Sequence, residues 1–168
     1  MTELDQIWSQ MLTEKAAEAS RSGRHHVAEY LRLKATNDAI RVAGVGWLFD
    51  TVIEIAGGAD CDHYSIAIER IDKHSFSRGS SNMVGSRLDL RQGVRCLSVE
   101  AGWARVPSDG IMLNGALAFA RITHFGMPRA GAEIRLVHAQ SLPNWLSDEN
   151  EIINIREIAR HFKIFLDI

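Results

Sequence analysis

The chain has 168 residues, 46% of them hydrophobic and 24% charged, a composition that fits one globular domain and excludes a disordered tract. Its formal net charge of −2 argues against a nucleic-acid binder that works by bulk charge. Cys61 and Cys96 cannot build a disulfide framework. The opening Met1-Thr2-Glu3-Leu4-Asp5 lacks the basic start of a signal peptide, and the longest apolar run, Val42 to Phe49, falls far short of the ~20 residues that cross a bilayer. The expectation is a single cytoplasmic domain over 1–168, away from membranes.

Three helical segments open the chain. Leu4, Ile7, Trp8, Met11 and Leu12 recur at helical spacing, with Thr2 as cap and Gly23 as stop. A second segment runs from Arg24 to Ala35 and a third from Asp38 to Ala56, ending at Gly57-Gly58. Thr36-Asn37-Asp38 offers a break or a new N-cap, and one long helix stays open as an alternative.

After Gly57 the period falls to two. Tyr64 to Asp72 reads as a strand and Arg78 to Asn82 as a loop. Val84–Arg91 and Val94–Trp103 form a hairpin about Gln92-Gly93. In that register Leu88 faces Leu97 and Leu90 faces Arg95 on an apolar side. Arg87 meets Ser98, Asp89 meets Cys96 and Gly85 meets Glu100 on a polar side. Ile111–Phe125 and Ala132–Gln140 supply two more strands. Leu142-Pro143-Asn144-Trp145 leads into a closing helix capped by Ser147, with Ile152, Ile155, Ile158, Ala159 and Phe162 as its stripe. The fold class is therefore α+β: N-terminal helices over 1–57, a five-stranded antiparallel meander over 64–140, flat or curled, and a closing helix over 147–166 packed on the sheet.

Charge is distributed unevenly. Residues 64–140 carry ten basic and six acidic side chains, and nine of the ten are Arg, whose planar fork suits carboxylate and phosphate. Arg87, Asp89, Arg91, Ser98 and Glu100 share the polar hairpin face, and Arg121 and His124 extend it if the next strand turns them the same way. Cross-strand ion pairing on a solvated sheet explains such a face equally well. Asp60-Cys61-Asp62-His63 with His74 lacks the second ligand pair of a zinc site, and a polar loop with an incidental Cys is the plainer reading. His25, Glu29, Asp50 and Glu54 have helical i,i+4 spacing but no Glu-x-x-His repeat. Gly79 to Gly85 lacks the Lys-Ser/Thr ending of a phosphate loop and enters a strand.

No cofactor or metal is expected. The leading expectation is a non-catalytic binding domain whose Arg-bearing face, Arg87, Asp89, Arg91, Glu100, Arg121 and His124, takes an anionic small molecule or an acidic protein partner. Self-association as a homodimer is compatible with it. The alternative is a small enzyme with acid–base chemistry from Glu100, His124 or His138. Nucleic acid ranks third, because the polar hairpin face offers no aromatic platform.

Overall fold

The computed structural model describes residues 3–138 and 143–168, with side chains from Gln6 onward. Thr2, Leu142 and the expected strand end through Gln140 lie outside the described residues, as does the side chain of Leu4. Two compact units are described in turn, Met1–Gly46 and Trp47–Ile168.

The first unit holds α1 (Glu3–Arg21) and most of α2 (His25–Ala56). Gly23, at φ 75°, makes the turn between them. The positions α1 buries are Leu12, Ala16 and Ala19, whereas Ile7, Trp8 and Met11 of the expected stripe stay half exposed. α2 is one continuous helix. Asp38, the expected break, is spent along the helix instead: it pairs with Arg41 (2.7 Å) and Lys34 (3.7 Å) and accepts from Trp8 Nε1 (3.2 Å). Engaged this way, its carboxylate is not free to cap a new N-terminus. Among the described residues no helix is long and apolar enough to cross a membrane.

The second unit begins with the last turns of α2, where Leu48, Phe49 and Val52 are fully buried. An antiparallel sheet follows, with the strands in chain order: β1 (Ala67–Arg78), β2 (Ser81–Gln92), β3 (Arg95–Trp103), β4 (Ala116–His124), β5 (Ala132–Val137) and β6 (Asn144–Ser147). The sheet thus has six strands rather than five. Four residues are too few for a period of two to be read, and β6 is defined by its pairing, with Trp145 opposite Leu136. Ser147 consequently caps no helix. Its hydroxyl accepts from Glu151 N–H in a turn (3.2 Å), and the closing helix α3 (Ile155–Leu166) starts later, capped by Asn154 Oδ1 on Arg156 and Glu157 N–H (2.8 and 3.4 Å). Its buried residues are Ile158, Phe162, Phe165 and Leu166, while Ile152 and Ile155 are exposed.

The β2–β3 hairpin is present but slipped by two residues. Gln92 pairs with Arg95, so the turn is Gly93-Val94, with Gly93 at φ 59°. A two-residue turn with glycine first needs positive φ at that position. Leu88 therefore faces Val99, Leu90 faces Leu97 and Arg87 faces Glu100. An even slip changes every partner and no face. The apolar outer face carries Leu90, Leu97, Val99, Ile122 and Ile134, and α3 packs on it at β3. Arg95, the odd residue on that face, donates to the Phe165 carbonyl (3.3 Å) and to Asp167 (2.9 Å), closing the last turn of α3.

Candidate functional site

The inner face is a series of rows across the strands, and their register decides which side chains meet. Near the β1–β2 turn, Phe76, Met83, Ala116 and Phe119 form a buried apolar cluster with Met112 against it. The next row has glycine on both β2 and β3. Gly85 faces Gly102, and a Cβ on Gly85 would lie 1.9 Å from the Ala101 carbonyl oxygen. Only glycine allows the two backbones this approach.

The third row carries Arg87, Glu100, Arg121 and Glu133 on successive strands. Glu100 accepts from Arg121 (2.9 Å), Arg121 donates to Glu133 (3.1 Å), and His74 Nε2 lies 2.7 Å from Glu100. Arg121 also donates to the Ser77 carbonyl of β1 (2.9 Å), while Arg78 of β1 reaches Glu133 of β5 (3.3 Å) and stacks on Phe119 of β4 (3.9 Å). In a flat sheet three strand spacings, about 14 Å, would separate β1 from β4. The sheet is therefore curled, with this face concave. His74 faces inward because of a bulge at Lys73, which sits at φ 59° and shifts β1 by one residue between Asp72 and His74.

The fourth and fifth rows lie toward the β2–β3 turn. Asp89 is buried, its side chain 3% exposed, and takes Arg87 Nε at 2.7 Å and Arg91 at 3.8 Å. Arg87 also donates to Ser98 Oγ (3.2 Å). Burial pushes the Asp89 carboxyl up, but hydrogen bonds from Arg87 and Ser98 and the charges of Arg87 and Arg91 outweigh it and hold the group below the usual carboxylate range. The hydrogen bond to Asp89 raises Arg87 in turn. Arg91 is 58% exposed. Glu69, in register with Asp89 on β1, is exposed and in no ion pair among the described residues.

Five of the six residues expected at the site thus share the inner face: Arg87, Asp89, Arg91, Glu100 and Arg121. His124 does not. It pairs with Leu97, which places it on the outer face, where it is buried under α3 with Nε2 3.0 Å from His161 Nδ1. Burial lowers His124; burial, with the neighbouring His124 next in weight, lowers His161 to about 4. Sequence reading missed His74, Arg78 and Glu133. Glu133 and Arg135 alternate with Ile134 and Leu136, a usable signal, but the bulge at Lys73 hid the parity of His74. Cys61 is buried, and burial raises its thiol, the opposite of an activated nucleophile.

No protein-family model, curated protein or solved structure matches this chain. Its class is that of an α+β protein built on a six-stranded antiparallel meander with helices before and after it.

Proposed function

We propose that the Trp47–Ile168 unit is a non-catalytic binding domain that takes an anionic small molecule on the inner face of its sheet, at Arg87 and Arg91. The observation behind this reading is a guanidinium group held only loosely by its carboxylate. Asp89 takes Arg87 at 2.7 Å but Arg91 only at 3.8 Å, so the Arg91 fork, 58% exposed, is left available to a further anion, with the exposed Glu69 on β1 offsetting part of its charge. A phosphate or carboxylate placed there gains charge-assisted, two-pronged hydrogen bonds, and the Asp89 anchor has already ordered the Arg87 side chain. The neighbouring row offers no such exposed fork, because Glu100, Arg121, Glu133 and Arg78 satisfy one another.

Thermal melting against inorganic phosphate, nucleotides and small carboxylic acids tests the reading. A ligand at ~100 times its dissociation constant adds about 2.7 kcal/mol, a shift of a few degrees for a domain this size. Arg91→Ala, at an exposed position, is expected to abolish that shift while leaving the unliganded melting temperature within about a degree. The same ligand response in Arg91→Ala and in Arg87→Ala/Arg91→Ala rules the site out.

Acid–base catalysis is a second reading, supported by the 2.7 Å contact between His74 and Glu100. A carboxylate that orients an imidazole is a general-base arrangement. Turnover of any ester or phosphoester that disappears in His74→Gln, with anion binding intact, would favour it over the first.

A further inference from the structure

The inner face does not stop at the strand ends, and its last row brings a ring to the arginines. Cys96 of β3 lies in register with Arg91 of β2. On its other side the Cys96 carbonyl accepts from Phe125 N–H (2.9 Å), so β3–β4 pairing runs one residue past His124. Leu97 and His124 face outward together, and alternation then returns Phe125 to the side of Arg121 and Thr123. The row reads Arg91, Cys96, Phe125. The backbone at Phe125 is fixed: Met127 N–H closes a turn on the His124 carbonyl (3.0 Å), with Gly126 at φ 76°. Yet the ring is 77% exposed and, among the described residues, stacks on no other ring or guanidinium. Turn positions of this kind usually go to polar or small residues.

Between the arginines and the ring the sheet presents only short side chains. Cys96 and Ser98 stand on β3, and Thr123 of β4, exposed, is in register with Ser98. Arg87 and Arg91 on one strand and Phe125 on the next but one therefore wall a shallow trough. Its floor is a thiol and two hydroxyls. The walls stand two strand spacings apart, roughly 10 Å between backbones. One wall is cationic and the other apolar and planar.

We propose that the anion taken at Arg91 carries a planar aromatic ring, which lies on Phe125 while a spacer crosses Cys96 and Ser98. This ligand class rests on the anion site proposed above at Arg87 and Arg91. A bare phosphate or a short carboxylate meets one wall only. A molecule with an anionic end, a spacer and a ring, such as a mononucleotide or an arylalkyl carboxylate, meets both. The guanidinium fork selects the charged end, and the exposed ring accepts any flat partner. Thr123 adds a hydroxyl for a polar group on the spacer. An uncharged aromatic molecule would leave Arg91 unmet, and a cationic one would be repelled by it.

Calorimetric titration of the whole chain with two matched pairs tests the ring. One pair is adenosine 5′-monophosphate and ribose 5-phosphate; the other is 3-phenylpropionate and propionate. In at least one pair the ring-bearing member is expected to bind tenfold or more tighter, and that pair tells phosphate from carboxylate. Phe125→Leu should erase the advantage and leave the ringless member unchanged, whereas Phe125→Trp should keep it. Arg91→Ala should abolish binding of both ringless members. These side chains are exposed, and melting curves check that the fold is kept. Equal affinity within both pairs, lost in Arg91→Ala, overturns the ring and leaves the anion site standing. A ring preference that survives Phe125→Leu overturns it by placing the ring elsewhere. Failure of all four to bind overturns the anion site and its ligand class together. A dimer seen by sedimentation and lost in Phe125→Leu, without ring preference, would assign Phe125 to a second copy.

Discussion

The two faces of the sheet both bury ionisable side chains and handle them in opposite ways. On the inner face carboxylates are held against guanidinium groups: Asp89 with Arg87 and Arg91, Glu100 with Arg121. On the outer face His124 and His161 are kept neutral, packed ring on ring at 5.3 Å between β4 and α3. One face answers the cost of desolvation with a counter-charge, the other by giving up the charge. The two devices fail under different challenges, and each failure can be measured.

The largest expected effect at neutral pH comes from breaking a pair on the inner face. Arg87→Ala leaves the Asp89 carboxylate buried with only Arg91 at 3.8 Å to balance it. Arg87 is 34% exposed, so the loss should fall below the ~3–5 kcal/mol typical of a fully buried pair, and urea denaturation should show about 1–3 kcal/mol. Asp89→Asn in the same chain should restore most of it. No recovery in the double variant would mean that Arg87 acts through packing rather than charge.

Acid should separate the two faces by pH window. His161 titrates near 4 in the folded chain and near 6.5 unfolded, so between those values the unfolded state binds more protons. Stability is full above about pH 6.5 and falls as pH drops toward 4, by about 3 kcal/mol in total. His161→Phe should flatten that slope. Asp89, held below its ordinary value, contributes stability that is present above about pH 4 and is lost at lower pH. A denaturation series from pH 8 to pH 3 that showed no loss above pH 5 would contradict the neutral-imidazole account of the outer face.

The smallest effect concerns Glu69, whose carboxylate lies across β1 from Asp89. Removing its charge in Glu69→Gln should strengthen anion binding at Arg91 by a few-fold, about 0.5–1 kcal/mol, with little change in stability. Calorimetry with the ligand that raises the melting temperature would measure it. Weaker binding in Glu69→Gln would place the anion elsewhere on the face.

How far these faces were legible in the sequence differs element by element. Alternation in β2 and β3 assigned Arg87, Asp89, Arg91 and Glu100 to one side, and the structure keeps them there despite the slip in register, because an even slip preserves the faces. Alternation could not take His124 with them. That needed the β3–β4 register, in which Glu100 meets Arg121 and Leu97 meets His124. The ion pairs of the inner face needed the same register, which sets Arg121 between Glu100 and Glu133.

Local chemistry in the chain was enough for the broad order of helices, antiparallel strands and a closing helix, and for the two faces of β2 and β3, since each depends on neighbours two to four positions away. Tertiary structure alone decided the curl that brings Ser77 and Arg78 over Arg121 and Glu133. The reason is physical. Pairing between residues 40 or more positions apart depends on twist, bulges and loop closure summed along the chain, and no short window of sequence carries that sum.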